Sequence, residues 1–165
     1  MAQTYENAEA VENLANSLIG THHPELATAI IRYIFKEKAG SKGGKVVLGS
    51  VKKLSDQQKF LMEGHPDFLM EIPMDVWNEM DGAKRTALVD HFLERCTGEE
   101  EEQTSEMKWS TREPDVHEFS SILRRHGAWT EDLSNFASVA KELDLSFMTG
   151  DGEDTEAVVQ QATVN

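Results

Sequence analysis

The run Asp90-His91-Phe92-Leu93-Glu94-Arg95-Cys96 holds the residues whose types and spacing come nearest to metal chemistry. A zinc peptidase carries H-E-x-x-H on a helix. Its two histidines, four residues apart, project from one face to grip the ion, and the Glu beside the first acts as general base. Here the same five positions read H-F-L-E-R. At about 100° per residue, His91 and Arg95 share a face and Phe92 takes the position of the base. Arg95 is permanently cationic and cannot ligate a cation, and Phe92 cannot take a proton. Glu94 stands two positions from the base site, about 200° round the helix, and does not substitute for it. Periodicity alone makes His91 a partly buried histidine hydrogen-bonded to a neighbour.

The helix that must carry this run starts near Ala83, with Leu88, Val89, Phe92, Leu93 and Cys96 as its apolar arc, and Thr97-Gly98 closes it. Before it, residues 7–19 place Ala8, Val11, Leu14, Ala15 and Leu18 on one helix face, and Gly20 stops the run. His22-His23-Pro24 opens a second segment, in which Leu26, Ala27, Ile30, Ile31, Ile34 and Phe35 read as the main core helix, ending before Gly40. His22 and His23 read as capping or solvated residues. Ser41-Lys42-Gly43-Gly44 is a turn, and the β-branched run 45–51 reads as a strand. Gly43-Gly44-Lys45 lacks the spacing of a phosphate loop.

Ser55 is placed to cap a short helix. Residues 67–72 form a second strand, ended by Pro73, and Asp75 caps a turn holding Trp77. The run Glu99-Glu100-Glu101-Glu102 reads as a mobile loop, followed by a third strand over 106–110. A helix from Pro114 turns Val116, Phe119, Ile122 and Leu123 inward and ends at Gly127. Thr130 caps a last helix, with Leu133, Phe136, Ala137, Ala140 and Leu143 as its stripe. These elements predict an α+β fold: an N-terminal extension over 1–6, one domain over 7–147 with helices packed on a short, about three-stranded sheet, and an acidic disordered tail over 148–165.

With 16 basic and 30 acidic residues, the 165-residue chain carries a net charge of −14. That charge argues against direct nucleic-acid binding, which needs a basic surface. It is also compatible with a mimic of nucleic acid that occupies a basic groove, although solvated faces and tails account for much of it. No run approaches a membrane span, and residues 1–7 lack the pattern of a signal peptide. The single cysteine, Cys96, excludes an internal disulfide and any Cys-rich zinc site, in keeping with a reducing cytoplasm.

Four separated blocks, in order, carry a resemblance: residues 44–53 (GKVVLGSVKK), 67–77 (DFLMEIPMDVW), 84–91 (KRTALVDH) and 114–129 (PDVHEFSSILRRHGAW). Together they resemble the putative phage metallopeptidase family over about residues 24–137. The resemblance implies a minimal zincin, with helices against a small sheet and H-E-x-x-H on the central helix. Carried over by position, only His91 matches a ligand; Phe92 stands for the Glu and Arg95 for the second His. The downstream block supplies Asp115, His117 and Glu118 as candidates to join His91 if a metal is bound. Two functions follow as expectations. The first is a catalytically degenerate metallopeptidase fold, with no cofactor, that binds and inhibits a host protein with a basic surface in the cytoplasm of the infected bacterium. The second is an active zinc metallopeptidase with unusual ligands. For the first, Glu71, Asp75, Glu79 and Asp81 are the expected partner-binding carboxylates, and Arg95 is expected to pair with an acid of the 115–118 block.

Overall fold

The computed structural model describes residues 2–143. The chain divides into two compact units, Met1–Glu113 and Pro114 onward, where the sequence reading drew one domain over 7–147. The acidic tail expected at 148–165 lies outside the described residues.

The first unit opens with strand β1 (Tyr5–Asn7) and helix α1 (Glu9–His22), then a single 3-10 turn (Pro24–Leu26) and strand β2 (Ile31–Lys36). A small hairpin, β3 (Ser41–Lys42) and β4 (Lys45–Val46), leads to β5 (Ser50–Lys53) and helix α2 (Asp56–Leu61). Then come β6 (Phe68–Pro73), α3 (Met74–Glu79), α4 (Gly82–Glu94) and a second hairpin, β7 (Cys96–Glu100) with β8 (Met107–Thr111). The main sheet is four-stranded in the order β1-β2-β6-β5. Its central pair, β2 and β6, is parallel, and the outer strands run antiparallel to them.

The α+β class stands, and the local signals hold where they are strongest. Ser55 accepts from the Gln58 N–H while the Gln58 side chain accepts from the Ser55 N–H, a capping box that starts α2. Alternate residues of β6, Phe68, Met70 and Ile72, are fully buried. They meet Val11, Ala15 and Leu18 of α1 and Leu88, Val89, Phe92 and Leu93 of α4 in one core.

The main correction concerns residues 24–39. The expected core helix is a 3-10 turn followed by the central strand β2. The strand buries Tyr33 and Phe35 and exposes Arg32, but half-buried Ile31 and Ile34 stand on its opposite faces and blur the alternation, so the run mimics a helical stripe. What decides is non-local: the Asp67 carboxylate accepts the Ile30 N–H at 2.8 Å, and the Ile30 carbonyl accepts from Asp67 N–H at 2.7 Å. β-Branched Ile31 and Ile34 then suit the pleated strand better than a helix.

Four smaller corrections follow. Tyr5–Asn7, drawn mostly as an extension, is an edge strand of the main sheet. The strand expected over 45–51 is split into β4 and β5, because Gly49 turns the backbone at φ +146°. Helix α4, expected from near Ala83, starts one residue earlier at Gly82, and Asp81 caps it, its carboxylate accepting the Lys84 N–H at 2.8 Å. The helix then ends at Glu94, and Cys96–Glu100 pairs with β8 in an antiparallel hairpin, so Glu99 and Glu100 lie in a strand rather than a loop. Trp109 covers Gly98 in this hairpin so closely that a Cβ there would stand 2.4 Å from its ring.

The second unit holds α5 (Ser120–His126) and α6 (Glu131–Glu142). Thr130 caps α6 as expected, its hydroxyl accepting the Leu133 N–H at 3.3 Å. Helix α5 begins at Ser120 rather than at Pro114, and Phe119, expected inside, is 76% exposed. No helix among the described residues is long and apolar enough to cross a membrane.

Candidate functional site

Helix α4 presents the H-F-L-E-R positions in two environments. Leu88, Val89, Phe92 and Leu93 are buried, while His91 lies exposed. Phe92 is 5% exposed. Its ring lies against Gly49 in the turn before β5: a Cβ there would stand 2.9 Å from Phe92 Cε2 and 2.7 Å from the Glu71 carbonyl oxygen. The sequence supplies the space for the ring by placing a residue without a side chain in the turn that faces it. The position where the motif puts its base is therefore packed as hydrocarbon.

Arg95 caps the C-terminal end of α4 and is committed to the segment after β8. Its Nη2 donates to Glu113 Oε1 at 3.0 Å. In return, the Arg112 guanidinium pairs with the Glu94 carboxylate, Arg112 Nε donates to the Glu94 carbonyl at 2.9 Å, and Arg112 N–H donates to the Arg95 carbonyl at 2.8 Å. Glu94-Arg95 thus faces Arg112-Glu113 acid to base and base to acid. Two carbonyls at the helix end, those of Glu94 and Arg95, are thus satisfied by Arg112, just after β8. The partner of Arg95 is Glu113, just upstream of the 115–118 block expected from the sequence. The buried Nε of Arg95 has no hydrogen-bond partner among the described residues.

His91 packs edge-on against Phe92, with ring centroids 5.3 Å apart. Its pKa is lowered, first by loss of water at that contact and then by the Arg95 charge one helical turn away. Next to it, the buried Cys96 thiol is pushed up to about 12 by burial, with Arg95 acting in the opposite direction. A neutral thiol at that position is not a ready nucleophile.

The residue that sequence reasoning missed is His23. It does stand at the cap position, ending α1 and opening the 3-10 turn, but its side chain makes no cap bond and is not solvated: it is 2% exposed, and its Nε2 lies 2.6 Å from Asp90 Oδ1. On the other side of the ring, Nδ1 stands 3.6 Å from Glu94 and 3.7 Å from Glu25. The ring ties the end of α1 to the α4 turn that carries the degenerate motif. No local signal could have shown this, since 67 residues separate the two partners.

The other sequence candidates are placed as follows. Asp115, His117 and Glu118 belong to the second unit, whereas His91 belongs to the first. Glu118 accepts from the Phe119 N–H at 2.7 Å and from Trp129 Nε1–H at 3.0 Å. Of the four expected partner-binding carboxylates, Glu71 pairs with Lys36 at 3.4 Å and Asp81 caps α4. Asp75 does not cap α3, whose N-terminus Pro73 provides; its carboxylate holds the Ala39 N–H at 3.0 Å and the Val76 N–H at 2.8 Å. Glu79 is exposed and makes no such bond among the described residues.

The residues at the motif do not fit the zinc ion that this helix type otherwise holds. Its second ligand position is a guanidinium in an ion pair, and its base position is a phenyl ring packed on backbone. No group of three His, Cys, Asp or Glu side chains among the described residues is arranged to hold a metal.

No curated protein and no solved structure matches the chain. The family model described as "Putative phage metallopeptidase" matches residues 3–142, nearly the whole described length, and the chain belongs to that family.

Proposed function

We propose that this chain is a catalytically degenerate member of its metallopeptidase family, acting as a binding module against a host protein in the cytoplasm of the infected bacterium. The observation that supports the reading best is the fit of Phe92 into the space left by Gly49. A base lost by a single substitution would leave a polar pocket; here the opposing turn is matched to the ring. The pairing of Arg95 with Glu113 supports it further, since the second ligand position has a structural duty of its own. Metal-assisted hydrolysis needs both a held ion and a base that activates water, and neither motif position supplies one. The net charge of −14 suits a partner with a basic surface, because such a field steers a cationic face into contact.

Purified protein is expected to carry far less than one equivalent of zinc by elemental analysis and to leave casein intact. Stoichiometric zinc together with chelator-sensitive hydrolysis would overturn the reading in favour of an active peptidase with unusual ligands. For binding, Glu79→Gln is the informative member of the expected quartet, because it alters charge without removing a cap or an ion pair. Its effect on association rate should shrink as salt rises.

A further inference from the structure

The whole-chain charge of −14 hides one region of opposite sign. Residues 38–53 carry five lysines, Lys38, Lys42, Lys45, Lys52 and Lys53, and no Asp or Glu. All five are exposed, and none makes an ion pair among the described residues. The lysines on either side of this run behave differently: Lys36 pairs with Glu71 at 3.4 Å and Lys59 with Asp67 at 2.6 Å. The two carboxylates at the base of the run are engaged elsewhere. Glu37 accepts from the Thr4 hydroxyl at 3.1 Å, and Asp75 holds the Ala39 N–H at 3.0 Å.

The run is centred on the β3–β4 hairpin, which forms a two-stranded sheet of its own. Gly43 and Gly44, at φ +59° and +77°, make the two-residue turn whose positive dihedrals match the twist of such a ribbon. That turn sets Lys42 directly opposite Lys45, and Ser41 opposite Val46. Residues paired across two strands share a face, so the two ammonium groups stand side by side. Like charges so placed weaken a hairpin that has only two residues in each strand. A polyanion lying on that face turns the repulsion into attraction.

We infer that this hairpin is a contact for the phosphate backbone of a nucleic-acid duplex. Every cation in the run is Lys, a compact point charge that suits phosphates met in no fixed geometry. Recognition of carboxylates favours the planar fork of Arg, and Arg95 and Arg112, which do pair with carboxylates, lie elsewhere. The run holds no aromatic side chain on which the bases of a single strand would stack. An anionic membrane is a plane that also meets the acidic remainder of the protein, whereas a duplex is a narrow rod that a hairpin can touch alone. Screening over about 8 Å at physiological salt limits the opposing charge further. The net charge, which argues against nucleic acid for the chain as a whole, averages over this asymmetry. The inference goes beyond the binding reading above, which concerns the acidic faces, and does not rest on it.

Fluorescence anisotropy of a labelled mixed-sequence DNA duplex, titrated with the full-length protein at low salt, tests this. Saturable binding is expected with a Kd of roughly 10⁻⁶–10⁻⁴ M. With one counterion released at each of Lys38, Lys42 and Lys45, the salt slope is about −2.7, so doubling the salt should weaken binding about sixfold. Lys42→Gln/Lys45→Gln should cut that loss to about twofold and weaken binding at the lower salt by at least about tenfold. Lys42→Arg/Lys45→Arg keeps the charge and should keep the binding. Lys42→Glu makes an ion pair across the turn, so it should keep or raise Tm while weakening binding at least as far as the double Gln variant. Lys84→Gln, at an exposed lysine on α4, should change nothing. Absence of saturable binding, an unchanged salt slope in the double Gln variant or an equal loss in Lys84→Gln would overturn the contact. Equally tight binding of poly-glutamate or of phosphatidylglycerol vesicles would overturn its assignment to nucleic acid. Zinc content and casein hydrolysis do not depend on this hairpin, so its failure is distinguishable from failure of the degenerate-enzyme reading.

Discussion

Replacing Phe92 by Glu and Arg95 by His rewrites the helix as H-E-L-E-H, and the structure says what this should cost. Phe92 is 5% exposed, so truncating it to Ala alone should cost about 3–5 kcal/mol. Glutamate loses the same contacts and adds the desolvation cost of a carboxylate at a buried position. Arg95→His removes the cation from Glu113 and breaks one half of the reciprocal pair with Arg112 and Glu94. The double variant should therefore lose at least as much stability as Phe92→Ala. With a urea slope of about 2 kcal/mol per molar, that is a midpoint lower by roughly 2 M. Because a domain has only about 5–15 kcal/mol to lose, denaturation belongs near 15 °C, close to maximum stability. Circular dichroism in urea, with and without equimolar zinc, measures it. A midpoint within about 0.5 M of the parent, with zinc raising it further, would refute the argument that the site is packed shut.

Four further outcomes follow from the same contacts. Gly49→Ala should destabilise by more than about 1 kcal/mol, because its φ is positive and its Cβ would meet the Glu71 carbonyl; adding Phe92→Ala should relieve only the ring part of the clash, which a double-mutant cycle in urea resolves. His23→Ala should cost about 2–3 kcal/mol through the lost bond to Asp90 and the vacated volume, and Asp90→Asn, which keeps an acceptor in place, less than half of that by the same denaturation. The lowered pKa of His91 means that the unfolded chain takes up its proton first as pH falls. Stability should therefore rise with pH between the folded-state pKa and about 6.5, and His91→Gln should flatten that window in a pH series of melts. Arg95→Gln should move the His91 titration midpoint upward by NMR, though not fully to its ordinary value, since loss of water is the larger cause.

The chemistry of the motif was legible in the sequence because it depends on residue identity and helical spacing, both local. That Arg95 cannot ligate and Phe92 cannot take a proton needs no fold. The same holds for the Ser55 and Thr130 caps and for β6, where alternation survives because every second side chain enters one core. What the sequence could not give is what its residues meet across long separations. Strand β2 was hidden because Ile31 and Ile34, half-buried on its opposite faces, blur the alternation of Tyr33 and Phe35, and its identity rests on bonds from Ile30 to Asp67. The space for Phe92 comes from Gly49, the partners of Glu94 and Arg95 from the return of β8, and the burial of His23 from an aspartate 67 residues away. Each of these is fixed by chain closure, whose entropy is offset only when the whole core forms, so tertiary structure alone decides it.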